Sequence, residues 1–368
     1  MALSPKLRGL VVTLHLVAGL VSALVLIVLG VTGGMLVYEA KIDHWLNPGI
    51  SRVVEAWAPL PLDEVARGLE QAHPGTRVSL MQFSVDDYDV AWRVSLRPLT
   101  KEGKRLNLAV DQYRGRELGA TDTANQFMKK VHQFHVNLLL GPVGRTVVVT
   151  GAVFLVVLAI SGLIVWWPRT IWKLSGASKR FNFDLHNALG FYSSIFMLLF
   201  GVTGMVVHWE RPVLDVVNRV TGSTDDTPPA KPALKNSDAP LLSPGGAADI
   251  ALKIMAGARI TMINGLGDPK TPIRISMRFP EDQTPGGRTT VILDPRTGDV
   301  LTARSSRTAA PGFRVAAYWN REIHTGDIFG WPSRIFASLA SLALPVLAIT
   351  GPLIWWSRRR RQARRVDA

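Results

Sequence analysis

The stretch HLVAGLVSALVLIVLGVTGGMLVYE, residues 15–39, returns 171 positions later as HNALGFYSSIFMLLFGVTGMVVHWE, residues 186–210. His15, Gly19, Gly30-Val-Thr-Gly33 and Glu39 match His186, Gly190, Gly201-Val-Thr-Gly204 and Glu210. A second set recurs at a constant offset of 189. There His135, Gly141, Arg145, Ser161-Gly162 and Trp166-Trp167 match His324, Gly330, Arg334, Thr350-Gly351 and Trp355-Trp356. Two constant offsets over two apolar stretches define a duplicated two-helix unit, and such a repeat fixes the architecture. Each unit places one histidine near each end of its helices. Ionisable side chains in or beside a membrane span are expensive, so they read as functional.

Four apolar stretches, at 10–37, 146–167, 185–207 and 335–356, are long enough to span a bilayer, which takes about 20 residues. The 368 residues are 47% apolar, and the mean hydropathy of +0.18 is high for a purely soluble protein. The first stretch is too long to read as a cleaved signal peptide, and no small-residue cleavage site follows it. The net charge of +14 is a topology signal rather than a sign of nucleic-acid binding. Lys6 and Arg8 precede span one; Arg169, Lys173, Lys179 and Arg180 separate spans two and three; Arg358, Arg359, Arg360, Arg361, Arg364 and Arg365 follow span four. All fall on one side of a four-span topology, so the positive-inside rule puts both termini in the cytoplasm. The Arg-rich tail is also suited to contact anionic lipid. Tryptophans such as Trp45, Trp166, Trp209, Trp331 and Trp355 gather near span ends, as an aromatic belt does. With no cysteine, disulfides, thiolate catalysis, iron–sulfur clusters and covalently attached haem are excluded.

Two further segments, about 40–134 and 211–322, are expected on the opposite side from the basic flanks. In the first, helical spacing at 62–69 precedes strand-like runs at 77–83, 90–96 and 105–111. In the second, a helix at 248–255 precedes strand-like runs at 259–263, 273–279 and 289–294. Asp111 and Asp294 end equivalent strands before turns closed by Gly115 and Gly298. The stretch 221–240 carries Pro228, Pro229, Pro232 and Pro240 and reads as an extended insertion.

These features together resemble the PepSY-associated transmembrane family. The resemblance rests on the order span–module–span, occurring twice, on the His-x3-Gly…Gly-Val-Thr-Gly span, on the Asp-x-x-x-Gly turn and on His324-Thr-Gly-Asp-Ile-Phe-Gly330. In the first unit that last run is replaced by His135-Val-Asn-Leu138. The resemblance implies an inner-membrane iron-uptake oxidoreductase of Gram-negative bacteria, with two b-type haems and a periplasmic ferric-siderophore as substrate. The expected fold class is a membrane all-α four-helix bundle, built from the duplicated two-span unit, with two small α+β periplasmic PepSY-like modules. The expected division is span one at 1–39, module one at 40–134, span two at 135–168, a cytoplasmic loop at 169–184 and span three at 185–210. Module two follows at 211–322 with its insertion at 221–240, then span four at 323–357 and the tail at 358–368.

If the two units pack about a pseudo-two-fold axis along the membrane normal, as parallel repeats do in some transporters, His15 and His186 share a depth and face each other. Facing imidazoles between helices suit bis-His ligation of a haem iron, which favours electron transfer over oxygen chemistry. Gly19 and Gly190 lie one turn further in, where missing side chains make room for a porphyrin or for close helix packing. His135 and His324 form the second pair near the outer face. His132 lies one turn from His135, but its repeat equivalent is Arg321; symmetry makes these two candidates for propionate contacts rather than ligands. Arg145 and Arg334 are a further propionate-contact pair, or simple helix-end anchors. His73, in Ala-His-Pro-Gly, reads as a solvated turn, His44 beside Trp45 as an interfacial residue, and His208, whose repeat equivalent is Val37, as structural. No nucleotide-binding glycine loop is visible, so the electron donor is expected to be a separate flavoprotein, quinol or soluble reductase. A non-redox regulator or scaffold binding peptide or peptidase is the rival reading. A metal permease would want polar residues at mid-span, where almost none beyond Ser and Thr occur.

Overall fold

An apolar segment in hydrocarbon must satisfy its backbone polar groups internally, which only a helix or a closed barrel does. The computed structural model describes residues 4–100, 103–121, 127–166, 178–223, 233–235, 237–282, 284 and 286–366. In chain order it forms α1 (Pro5–Leu36), α2 (Glu39–Leu46), α3 (Pro48–Ser51), α4 (Leu62–Ala72), β1 (Thr76–Gln82), β2 (Trp92–Pro98), β3 (Leu106–Asp111) and β4 (Arg116–Ala120). Then come α5 (Phe127–Asn137), α6 (Gly141–Trp166), α7 (Ser178–His208), α8 (Glu210–Thr221), α9 (Pro244–Ile254) and β5 (Arg259–Asn264). The chain closes with β6 (Ile273–Arg278), β7 (Thr289–Leu293), β8 (Val300–Arg304), α10 (Pro311–Phe313), a π-helical turn (Arg314–Trp319), α11 (Asn320–Thr325) and α12 (Trp331–Val366). These elements fall into two compact units. The membrane unit comprises residues 1–39, 127–213 and 319–368; the sheet unit comprises 40–126 and 214–318.

In the membrane unit α1, α6, α7 and α12 are each long and apolar enough to cross a bilayer. α1 packs on α6 and α12, and α7 packs on the same two helices. On α1 the buried side is mostly small or polar, with Ala18, Ser22, Gly30 and Thr32 beside the one large residue Leu26, while Leu10, Leu14, Val17, Val21 and Leu24 are exposed. That inside-out pattern suits lipid, where helices associate through close packing of small residues rather than through a hydrophobic drive. A Cβ on Gly30 would stand 2.6 Å from Pro345 Cδ and 2.7 Å from the Ser341 carbonyl oxygen. One on its repeat equivalent, Gly201, would stand 2.7 Å from Val156 Cγ2. The first glycine of each Gly-Val-Thr-Gly run therefore sets a close helix crossing.

The expected all-α class with two separate modules is corrected here. The sheet unit is one eight-stranded antiparallel sheet in the order β4-β3-β2-β1-β5-β6-β7-β8. The two repeats join where β1 pairs with β5, through Leu80↔Asn264, Met81↔Ile263 and Gln82↔Met262. A four-stranded module would leave β1 or β5 as an open edge, which natural sheets cover or pair. Pairing the two edges satisfies both and buries Met81 and Ile263 completely. α4 and α9 pack on the sheet and on each other. Val65, Leu69, Ala247 and Ala251 form one core with Val78, Leu96, Ile275 and Leu293.

Asp111 and Asp294 each accept two backbone N–H bonds from their own turns, from Tyr113 and Arg114 and from Arg296 and Thr297. Burial pushes the Asp294 carboxyl up, but the N–H groups of Thr297, Arg296 and Lys235 outweigh it and hold it below the usual range. Both aspartates are thus structural pins of the Asp-x-x-x-Gly turns. Of the loop expected at 169–184, residues 169–177 lie outside the described residues, Arg169 and Lys173 among them, as does Trp167 of span two. Of the insertion at 221–240, Pro228, Pro229 and Pro232 also lie outside. The Arg-rich tail continues helix α12 as far as Val366.

Candidate functional site

The membrane unit brings the four repeat-related histidines together in two pairs. The ring centroids of His15 on α1 and His186 on α7 are 6.4 Å apart, with the rings perpendicular. Those of His135 on α5 and His324 on α11 are 6.3 Å apart, with the rings at 57°. The second pair rides on short helices that precede the spans rather than on the spans themselves. His15 and Thr32, which faces His135, are 17 residues apart on α1, about 25 Å of helix at 1.5 Å per residue. His186 and Thr203 repeat that separation on α7. The pairs therefore sit near opposite ends of an apolar bundle whose length matches a bilayer core of about 30 Å.

Every one of these rings has the same seat. Nδ1 of His15 is 2.9 Å from Ser161 Oγ, and Nδ1 of His186 is 2.7 Å from Thr350 Oγ1. Nδ1 of His135 is 2.9 Å from Thr32 Oγ1, and Nδ1 of His324 is 2.9 Å from Thr203 Oγ1. Each hydroxyl is itself a donor to a carbonyl of the preceding turn: Val157 for Ser161, Val28 for Thr32, Leu199 for Thr203 and Leu347 for Thr350. Its proton spent there, the oxygen accepts from Nδ1–H. That favours the Nδ1–H tautomer and leaves Nε2 with its lone pair, the arrangement by which an outer hydrogen bond orients an imidazole able to bind a metal.

The glycine after each hydroxyl completes the seat. A Cβ on Gly162, Gly351, Gly33 or Gly204 would lie 3.2 to 3.3 Å from Cε1 of His15, His186, His135 or His324 respectively. So the Gly-Val-Thr-Gly run divides its labour. Its first glycine sets a helix crossing, its threonine holds Nδ1 and its last glycine makes room for the ring. The Ser161-Gly162 and Thr350-Gly351 dipeptides do the same for the other pair. The repeat displayed all four Ser/Thr-Gly steps, yet their role required knowing which helix each faces. Seating is within a repeat, and pairing is between repeats.

A cavity of ≈ 470 Å³ surrounds the His15/His186 pair. Its lining is apolar, with Leu16, Leu158, Phe183, Leu347 and Trp355, and it includes Gly19 and Gly190. A Cβ on either glycine would meet nothing closer than 3.6 Å, from Leu158 and Leu347 respectively. These two glycines widen the cavity rather than set a helix crossing. Volume and lining match a site for a small organic group.

The expected propionate contacts divide. Arg334 pairs with Asp327 of the His-Thr-Gly-Asp run at 2.7 Å, and Arg145 donates from Nε to His208 Nδ1 at 3.2 Å. Both are engaged in holding the ends of α12 and α6. Arg321 and His132 are exposed and lie close enough to His324 and His135 to act on them electrostatically. The other histidines have local partners: His73 pairs with Glu117 at 2.8 Å. Burial, then the Arg93 and Arg52 guanidiniums, hold the His44 imidazole below its ordinary range. Asn320 was not anticipated. It is buried and donates to the Thr203 carbonyl at 3.1 Å, fixing α11 beside the seat of its own histidine.

Compared with known families, residues 12–358 match the model of the PepSY-associated TM region, and the chain belongs to that family as a multi-pass membrane protein. None of the curated proteins compared with it matches.

Proposed function

We propose that this protein is an inner-membrane di-haem b electron conduit that reduces ferric-siderophore in the periplasm and releases ferrous iron. The observation that carries the reading is the spacing of the two histidine pairs. Imidazole nitrogens at about 2.0–2.1 Å from a shared metal atom, each about 1.1 Å from its own ring centre, place two centroids about 6.3 Å apart. The measured separations are 6.4 and 6.3 Å. Among the described residues no third His, Cys, Asp or Glu joins either pair, so each site offers two imidazoles to a metal that brings its remaining ligands with it. A porphyrin does that, and the apolar cavity with its two glycines suits one.

Haem held at each pair supplies one-electron transfer. The protein does the rest. Ser161, Thr350, Thr32 and Thr203 hold Nδ1 of each imidazole and leave Nε2 available, so the two histidines of each site would hold the haem iron. The two seats sit at opposite ends of the spans, so one end accepts an electron and the other delivers it. The basic flanks of the spans favour cytoplasmic termini, with the His15/His186 pair on the cytoplasmic side. The donor there is a separate protein or a quinol. The ferric-siderophore acceptor rests on the family resemblance.

Purified protein is expected to show a Soret band and two b haems per chain by pyridine haemochromogen assay. After dithionite reduction and removal of excess reductant, a ferric-siderophore should reoxidise it anaerobically, with ferrous iron captured by a chelator. Reporter fusions after residues 120, 175 and 300 should be periplasmic, cytoplasmic and periplasmic. Colourless protein that does not take up added haem would return the non-redox regulator or scaffold. Haem that no ferric chelate reoxidises would keep the conduit and discard the substrate.

A further inference from the structure

The ≈ 470 Å³ cavity has one charged end. Apart from the two histidines, its charged lining residues are Arg358 and Arg359, the first residues of what reads in the sequence as a solvated basic tail. They reach it because α12 does not stop at the end of its apolar stretch. It continues without a break, so Arg358 lies seven residues beyond Gly351 and three beyond Trp355, on the helix face that carries both. Rings that line the same cavity hold both guanidiniums. Arg358 stands 5.9 Å from the centre of the Phe183 ring and Arg359 5.2 Å from that of Trp355. Stacking of this kind orients a guanidinium while leaving its N–H donors free for a carboxylate. Arg360 is different: it stands 4.7 Å from the ring of Trp356, and neither residue lines the cavity.

A cavity with facing imidazoles at one place, apolar walls around them and two stacked guanidiniums at its mouth fits a flat apolar group with acidic substituents on one edge. We infer that Arg358 and Arg359 are positioning residues that bind the propionates of the haem held by His15 and His186, fixing its rotational orientation with the acid edge toward the end of α12. This assignment rests on the di-haem reading above. Fork-like donors suit carboxylates through paired charge-assisted hydrogen bonds. A cation close to the cofactor also favours the reduced state, which carries one negative charge more than the oxidised state, so the arginines raise the potential of the inner site.

The test uses full-length protein in detergent and three forms: wild type, the double variant Arg358→Gln/Arg359→Gln, and Arg360→Gln. Three quantities are read: haem content, the rate at which haem passes to excess apomyoglobin, and the midpoint potential of the inner site. The double variant should lose its inner haem at least tenfold faster and show a lower potential there, while Arg360→Gln matches wild type in both. Apoprotein reconstituted with haem dimethyl ester, which lacks free propionates, separates contact from folding. Wild type should release the ester as fast as the double variant releases native haem, and the double variant should release the ester no faster still. Equal effects of Arg360→Gln and the double variant would overturn the assignment, because net charge or anionic lipid at the tail would then be responsible. So would an ester that wild type holds as tightly as native haem. Wild-type protein that binds no haem would remove the di-haem reading and this assignment together. Two tightly held haems with no response to the double variant would remove this assignment alone.

Discussion

The two histidine pairs share one seat chemistry but differ in what carries them. His15 and His186 belong to the spanning helices α1 and α7, so the bundle itself sets their separation. His135 and His324 ride on α5 and α11, helices of 11 and 6 residues, and each must be aimed by a turn. The second repeat makes its turn with Gly326 at φ 79°, followed by Asp327, which pairs with Arg334. The first has neither device. Its turn passes through Leu138 at φ 52° and Leu139 at φ 60°, a left-handed conformation that costs L-residues about 1–2 kcal/mol each. Duplication thus kept the imidazole and its seat in all four places while the scaffold that aims His135 and His324 diverged. The chemistry constrains hydroxyl, glycine and imidazole; the turn needs only to deliver them.

Removing the ligands has the largest expected effect and tests whether the pairs are independent. His15→Ala or His186→Ala should remove or convert only the inner haem, and His135→Ala or His324→Ala only the outer. Each variant should keep about one low-spin haem per chain by optical and electron paramagnetic spectra. In His324→Ala the inner site should remain reducible while delivery to a ferric chelate stops. Full low-spin haem content in all four variants would leave the pairs without a ligand role.

Removing the seats is the next largest effect, and it asks whether the shared hydroxyl acts equally at both ends. Loss of an outer-shell partner typically costs 10–100-fold in metal-site affinity. Thr203→Val and Thr350→Val should therefore each speed haem loss to apomyoglobin by roughly that factor at their own site. Thr203→Ser and Thr350→Ser should restore it. Rescue separates the hydrogen bond from helix packing, since serine returns the hydroxyl without the methyl group. Affinity unchanged in Thr203→Val would mean that Asn320 and the α11 turn aim His324 unaided.

The glycines of Gly-Val-Thr-Gly should separate in kind. A methyl at Gly30 meets proline and backbone at 2.6 and 2.7 Å, so Gly30→Ala should force α1 and α12 apart and cost about 1–3 kcal/mol, as overpacking does. A methyl at Gly33 meets the rim of an imidazole at 3.2 Å, with Ser341 Oγ in ordinary contact at 3.7 Å. Gly33→Ala should leave the melting temperature nearly unchanged and instead shift the spectrum and potential of the outer site. Equal loss of stability in both would erase the distinction between crossing and seat.

How much of this the sequence displays follows from the range of the interaction involved. The four spans are legible because each needs only local apolarity. The pairing of His15 with His186 and of His135 with His324 is legible because duplication fixes symmetry, whatever the packing. Three strands of each half are legible by alternation, as at 77–83 and 259–263, whereas β4 and β8, which follow the glycine turns, are not. The join of β1 to β5 is not, because no residue of Leu80–Gln82 marks its partner about 180 positions away. The contacts of Arg145 with His208 and of Arg334 with Asp327 are not legible either, since nothing in the repeat marks those partners. Arg358 and Arg359 looked like tail because helical continuation past Trp356 is a property of α12 as a whole, not of the basic run.

The smallest expected effect bears most directly on the contrast between the outer turns. Leu139 is 57% exposed, so its side chain contributes little packing, and its φ of 60° is one that glycine adopts without penalty. Leu139→Gly should recover about 1–2 kcal/mol of conformational strain and give back about 0.5–1 kcal/mol through the greater freedom of the unfolded chain. The net is a gain of up to about 1.5 kcal/mol, seen as a rise of a few degrees in the melting temperature of the detergent-solubilised protein. Val136→Gly, three residues earlier within α5, is the control. It relieves no strain and should lower stability by about 1 kcal/mol, the ordinary cost of glycine in a helix. A gain at Leu139 beside a loss at Val136 would place the strain in the turn. The second repeat makes its own turn with a glycine at Gly326, whose equivalent in the first repeat is Asn137. Equal losses at both positions would mean that the leucines of this turn are held by packing strong enough to offset the left-handed backbone. The outer pair would then be aimed by lipid-facing contacts in one repeat and by a glycine and an ion pair in the other.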